Sequence, residues 1–190
     1  MIQNGSLKKA IFIDRDGVIN KSLLIDGKAH APLKFSEFKI LENVDLALTK
    51  FRELGFLNII ITNQPNLSSK ERFLEKAELD LMHQFLMNNF EIDKIYVCPH
   101  LKTQNCFCRK PKIGNLLLAA SEFNIDLNES YFVGDRWQDV ECAFNAKLKG
   151  CFFIDYNYNK RKIAFPFTKV FSLLDAFENL NRVINDKYLC

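Results

Sequence analysis

Five short apolar runs, rich in β-branched and aromatic residues, punctuate this chain at 11–13, 56–62, 95–97, 131–135 and 151–155, and segments of helical periodicity lie between them. Asn43 stands where it can cap a helix whose Val44, Ala47, Leu48, Phe51 and Leu54 recur at helical spacing until Gly55 stops it. Ser68 and Glu71 have capping-box spacing and predict a long helix from there, with Leu74, Ala77, Leu81, Phe85 and Leu86 on one face. Residues 113–123 and 138–147 predict two more helices, and 172–184 an amphipathic last one. Strands alternating with helices imply a Rossmann-like α/β fold, a parallel sheet flanked by helices and joined by right-handed crossovers. The chain of 190 residues suits a single domain over 1–190.

In such a sheet, ligands bind beyond the carboxyl ends of the strands. Those ends are polar here. Ile11, Phe12 and Ile13 run into Asp14 and Asp16 before Gly17 turns the chain, the second run closes on Thr62, Asn63 and Gln64, and the fourth ends on Asp135. A spacing of two along an extended segment sends the Asp14 and Asp16 side chains the same way, with Arg15 facing elsewhere, so the two acids can share one ion and one substrate. Residues 21–41, with Gly27 and Pro32, predict an irregular flap over these ends, and His30 on it is a candidate to touch substrate. The net charge of +3 is mild and its basic residues are scattered, which gives no nucleic-acid footprint and suits a small anionic substrate. No glycine-rich phosphate loop is present, which argues against kinase and dehydrogenase chemistry.

Cys98-Pro-His100, five residues, then Cys106-Phe-Cys108 place three thiols and one imidazole at the density of a closed, tetrahedral zinc site, which is structural because no coordination position stays open. Such a zinc would order the loop that carries Arg109 and Lys110. Cys142, Cys151 and Cys190 have no partner at ligand spacing and read as buried or terminal thiols. His83 falls in the long helix without an assigned role.

Asp14-x-Asp16, Thr62 at the end of the second strand, Lys110, and Gly134-Asp135 with Asp139 resemble, in order, the four motifs of the haloacid-dehalogenase-like phosphatases. The strings Asp14-Arg-Asp-Gly-Val-Ile-Asn20, Thr62-Asn-Gln64 and Cys108-Arg-Lys-Pro111 are similar, more narrowly, to the D-glycero-D-manno-heptose 1,7-bisphosphate and histidinol-phosphate phosphatases. The resemblance implies that Asp14 is the nucleophile, forming an aspartyl-phosphate, and that Asp16 is the acid and base. It further implies that Thr62 and Lys110 stabilise the phosphoryl oxygens, and that Mg²⁺ is held by Asp14, the Asp16 backbone carbonyl and Asp135. Asp139 either assists Asp135 or caps the helix after it. Asn63, Gln64, Arg109 and Arg136 are the candidate substrate contacts, the arginines because a guanidinium binds phosphate bidentately.

The chain departs from the heptose-phosphatase pattern at Pro65-Asn66, at Ser69-Lys70 and at Gly27-Lys28, and its five-residue zinc gap is closer to the histidinol-phosphate enzymes. The leading expectation is a Mg²⁺-dependent phosphatase removing the 7-phosphate of a heptose bisphosphate. Histidinol-phosphate phosphatase, a polynucleotide 3′-phosphatase and a zinc-ordered module without turnover remain as alternatives. The N-terminal residues do not pattern as a signal peptide and no apolar run approaches a membrane span, so the expected setting is a cytoplasmic monomer with a small phosphorylated sugar as partner and neither membrane nor nucleic acid.

Overall fold

The computed structural model describes residues 6–157 and 161–186; Cys190 and the first five residues of the chain lie outside that range. Strand β1 (Lys9–Ile13) leads into a two-stranded hairpin, β2 (Leu23–Ile25) and β3 (Lys28–His30), and then helix α1 (Val44–Glu53). Strand β4 (Phe56–Asn63), α2 (Lys76–Asn89), β5 (Lys94–Cys98), α3 (Gly114–Phe123), β6 (Tyr131–Gly134) and α4 (Trp137–Asn145) follow. Strand β7 (Gly150–Ile154), β8 (Thr168–Val170) and α5 (Leu173–Asp186) complete the order. The main sheet runs β5-β4-β1-β6-β7-β8 and every pairing in it is parallel.

Alternation along each strand divides the core in two. On β1, Ile11 and Ile13 face a cluster that takes Leu48 and Phe51 of α1, Met82 and Leu86 of α2, and Ala176 and Leu180 of α5. Ala10 and Phe12 face the opposite cluster, with Leu116 of α3 and Val140 of α4. A strand buried on both faces has no polar alternation to show, which is why these runs read as continuously apolar.

Chain order places the site. From β1 the sheet grows outward through β4 and β5, and the chain then crosses back to lay β6 on the other side of β1. The ends of β1 and β6 therefore flank a point where the strand order reverses, the position at which α/β sheets open a crevice. Asp14 follows β1 and Asp135 follows β6, on neighbouring strands joined by the Asp14 N–H donating to the Val133 carbonyl at 2.9 Å.

Three local differences from the sequence expectations have physical causes. The long helix starts at Lys76 with Glu75 before it, and Ser68 ends a single 3₁₀ turn opened by Pro65. Ser69 Oγ accepts from the Glu71 and Arg72 N–H groups instead, and Leu74 N–H closes the loop onto the Asn66 carbonyl. The helix consequently buries Leu79, Met82 and Leu86, while Leu81 is half exposed. The flap is not irregular throughout: Asp26 (φ 49°) and Gly27 (φ 68°) form the left-handed pair that tight hairpins need, and Leu23 pairs with His30 across it. Strand β8 adds a sixth, edge strand that its three-residue length left without a periodic signal.

Candidate active site

The turn after β1 is built to aim carboxylates. The Arg15 carbonyl accepts from the N–H groups of Val18, Ile19 and Asn20, Gly17 takes φ 93°, and the Gly17 N–H closes the turn on the Asn20 carbonyl at 2.7 Å. Asp14 Oδ1 receives the Arg15 N–H at 2.8 Å and the Lys110 ammonium at 2.8 Å. Lys110 itself is buried and its Nζ donates to three oxygens, those of Asp14, Asp139 (2.7 Å) and the Ile61 carbonyl (2.7 Å). Its backbone is clamped as well, because Asn63 Oδ1 accepts from the Lys110 N–H at 3.1 Å while Asn63 Nδ2 donates to the Lys110 carbonyl at 3.2 Å.

Of the two roles the sequence left open for Asp139, the structure shows the helix cap, and it adds a contact with Lys110. Its Oδ2 accepts the Arg136 N–H at 2.9 Å at the start of α4, and its Oδ1 meets Lys110. Gly134 makes room for it: a Cβ there would stand 2.3 Å from the Asp139 Cβ. Asp135 is buried beside this group with Arg136 Nε 3.7 Å from its Oδ2.

One carboxylate oxygen each from Asp14, Asp135 and Asp139 lies within 4.8 Å of the others, and all three residues are buried. An all-oxygen, anionic donor set of this kind fits a hard divalent cation. The protonation of the metal-free site agrees. Burial, opposed by Lys110 and reinforced by Asp139 and Asp16, pushes Asp14 up to about 7, and burial with Asp14 and Asp139 raises Asp135 well above the carboxylate range. A dication in their midst would favour the charged carboxylates and so offset both shifts.

Asp16 is handled differently. Burial alone would raise its carboxyl, but the Arg15 charge and hydrogen bonds from Arg15, Asn20 and Gln64 hold it below the usual range. Arg15 Nη2 reaches Oδ1 at 2.8 Å and Oδ2 at 3.0 Å, Asn20 Nδ2 reaches Oδ1 at 3.0 Å, and Gln64 Nε2 reaches Oδ2 at 2.7 Å. Gln64, a candidate substrate contact, is thus fully buried, and the same Nε2 also donates to Thr62 Oγ1 at 2.8 Å. Arg15, read as facing away, is the side chain that sequence reasoning missed. The available signal was a cation set between two acids in an otherwise apolar segment.

Above these groups opens a cleft of about 270 Å³ whose floor includes Asp14, Asp16, Asn63 and Lys110 and whose rim carries His30, Arg109 and Arg136. Arg136 Nη2 donates to the Ala29 carbonyl at 2.8 Å, tying the hairpin to the end of β6, and Arg109 Nη1 donates to the His100 carbonyl at 3.1 Å. The loop that carries Arg109 and Lys110 brings Cys98, His100, Cys106 and Cys108 together. Cys98 and Cys108 Sγ each lie 3.6 Å from Cys106 Sγ, and 3.7 and 3.3 Å from His100 Nδ1. Zn–S bonds of about 2.3 Å at tetrahedral angles put ligand sulfurs about 3.7 Å apart, whereas a disulfide needs about 2.05 Å.

Residues 107–167 match the HAD-hydrolase-like family model. The D-glycero-alpha-D-manno-heptose-1,7-bisphosphate 7-phosphatase of Campylobacter jejuni is 34% identical over 180 residues, covering 93% of this chain and 94% of that protein. The beta-anomer enzyme of Pasteurella multocida is 35% identical over 153 residues, 75% of this chain and 79% of the relative. Among solved structures, D,D-heptose 1,7-bisphosphate phosphatase from B. bronchiseptica, complexed with magnesium and phosphate, superimposes with a TM-score of 0.76 at 25% identity, over 92% of this chain and 99% of that one. A fold of this topology, carrying these residues at its strand ends and matching such relatives over most of their length, belongs to the haloacid-dehalogenase-like phosphatases, alongside the heptose bisphosphate phosphatases.

Proposed function

We propose that this chain is a Mg²⁺-dependent phosphatase that removes the 7-phosphate of D-glycero-D-manno-heptose 1,7-bisphosphate, as a step in making nucleotide-activated heptose. The observation that carries the chemistry is the buried Lys110 ammonium bridging Asp14 and Asp139, with Asp135 within 4.8 Å of both acids and Asp16 beside them on the floor of one cationic-rimmed cleft. The substrate follows from the relatives, one of which matches over nearly the whole chain. Among the described residues no helix is long and apolar enough to cross a membrane, and we read the enzyme as a cytoplasmic monomer.

Each side chain then has a task that its surroundings suit. With Oδ1 of Asp14 held by Lys110 and the Arg15 N–H, Oδ2 is the oxygen available to attack phosphorus, and the bond from phosphorus to the sugar oxygen breaks. Asp16 gives that oxygen a proton. It later takes one from the water that attacks phosphorus and releases Asp14. Arg15, Asn20 and Gln64 favour the Asp16 carboxylate before substrate binds, and the proton it gives is one taken up from solvent as the arriving anionic phosphate raises its proton affinity. Lys110 and Asn63 line the floor where the transferring group sits, Thr62 lies buried beneath it with its Oγ1 accepting from Gln64, and Arg109, Arg136 and His30 on the rim are the donors for the rest of the substrate. Asp14, Asp135 and Asp139, with the Asp16 carbonyl, would hold Mg²⁺, which would supply charge neutralisation between anionic nucleophile and anionic phosphate. Cys98, His100, Cys106 and Cys108 would hold zinc, which would fix the loop whose next residues are Arg109 and Lys110.

Three outcomes are expected. With Mg²⁺, the protein releases phosphate from one anomer of the heptose bisphosphate at least about 100-fold more efficiently than from histidinol phosphate or a 3′-phosphorylated oligonucleotide, and Asp14→Asn removes at least about 10³ of that rate. Faster release from histidinol phosphate overturns the substrate, and an active Asp14→Asn overturns the nucleophile.

Mg²⁺-free protein becomes less stable as pH rises from about 4 through about 7, because the unfolded chain loses the Asp14 and Asp135 protons near 4 while the folded chain keeps them to higher pH. Melting curves of zinc-loaded protein without added Mg²⁺ should fall across that window, and the gain on adding Mg²⁺ should be larger at pH 8 than at pH 5.5. An equal gain at both contradicts the assignment.

Elemental analysis should find one zinc per chain. Its removal, or Cys106→Ser, should lower both the melting temperature and, by about 10-fold or more, turnover. A zinc-free protein with full activity overturns the structural role.

A further inference from the structure

Arg15 is fully buried, a position that an apolar residue of similar volume would fill without desolvating a charge. The guanidinium lies 5.5 Å from the Phe38 ring centroid, and its hydrogen-bonding groups divide between Asp16 and helix α2. Nε and Nη2 point at Asp16, with Nη2 spanning both carboxylate oxygens, and Nη1 faces His83 Nε2 at 3.2 Å and the Met82 sulfur at 3.9 Å. A guanidinium only donates, so His83 Nε2 is the acceptor in that bond and its ring proton sits on Nδ1. His83 lies on α2, whose other inward residues, Leu79, Met82 and Leu86, are apolar. A buried cation from β1 and a polar ring from a core-packing helix are thus both committed to one carboxylate. Asn20 and Gln64 add neutral-amide hydrogen bonds to the same carboxylate, so three side chains converge on one acid.

We infer that Arg15 and His83 form a positioning pair: His83 fixes the guanidinium, and the guanidinium fixes the carboxylate of Asp16 in the orientation from which it exchanges a proton with the leaving oxygen. This rests on the reading of Asp16 as acid and base. Asp16 keeps a small exposed edge on the cleft while its back is held, as a group that must face a reacting oxygen requires. Neither Arg15 nor His83 touches the substrate cleft, so neither is a catalytic residue.

The test uses the dependence on leaving group. A sugar alkoxide must be protonated as it departs, whereas p-nitrophenolate leaves without help, so the ratio of kcat/KM for heptose bisphosphate to that for p-nitrophenyl phosphate reads the proton transfer alone. Within one protein preparation the ratio does not depend on how much of the variant is folded. Asp16→Asn, the control, should collapse the ratio by about 10³. Arg15→Lys, which keeps the charge but loses the two-pronged grip, should lower it by about 10–100-fold, and His83→Leu by about 10-fold. His83→Gln, whose Oε1 can accept from Arg15, should stay within about 3-fold of the native ratio. If Asp16→Asn collapses the ratio while Arg15→Lys and His83→Leu slow both substrates equally, the pair is merely structural and the inference fails. A glutamine no better than leucine at position 83 removes His83 from it. If Asp16→Asn itself leaves the ratio unchanged, the role of Asp16 fails, and the pair with it.

Discussion

The ammonium of Lys110, sealed between Asp14, Asp139 and the Ile61 carbonyl, is the interaction on which the rest of this structure depends. Three carboxylates buried within 4.8 Å of one another repel, and without a cation among them folding would force protons onto them. Lys110 holds the group together before any metal arrives, and burial together with the neighbouring acids leaves Asp14 and Asp135 with raised proton affinity as the remaining strain. A divalent cation held by the three acids would complete a balance that the lysine only half achieves.

Much of the surrounding architecture follows from the need to deliver that lysine. It sits on a loop, not on a strand, and a loop fixes a charge only if it is itself fixed. Two devices do so: the reciprocal bonds of Asn63 with the Lys110 backbone from the sheet side, and the Cys/His cluster from the other. On the opposite flank, Gly134 gives up its side chain so that Asp139 can close on Lys110 and on the first turn of α4 at once. Arg136 then carries the order outward to the hairpin through the Ala29 carbonyl, so the rim of the cleft is tied to its floor.

The floor was legible in the sequence because strand ends advertise themselves: an apolar run that stops at Asp14, at Thr62 or at Asp135 has one direction in which to point those groups. The cysteine cluster was legible for a similar reason, since ligand spacing within a short loop survives without knowledge of the fold. What escaped were side chains whose direction is a tertiary outcome. Gln64 looks like a substrate contact by position, yet it is turned into the protein onto Asp16 and Thr62. Arg15 alternates away from Asp16 along the backbone, and its length lets the guanidinium fold back to meet it, which no periodicity reveals. The start of α2 slipped from Ser68 to Lys76 because Pro65 and Ser69 made a better local turn than a capping box. Strand β8 and the hairpin are only three residues per strand, below the length at which alternation can be recognised.

The central claim is that this constellation makes Asp14 a covalent carrier of the phosphoryl group. Its most direct measurement is acid quenching during turnover of the heptose bisphosphate with Mg²⁺, followed by mass mapping of the peptides. The account predicts a phosphoryl group on the peptide containing Asp14, gained as substrate is added and lost as it is consumed. Turnover with every peptide unmodified, or the phosphoryl group on a peptide that lacks Asp14, would contradict it.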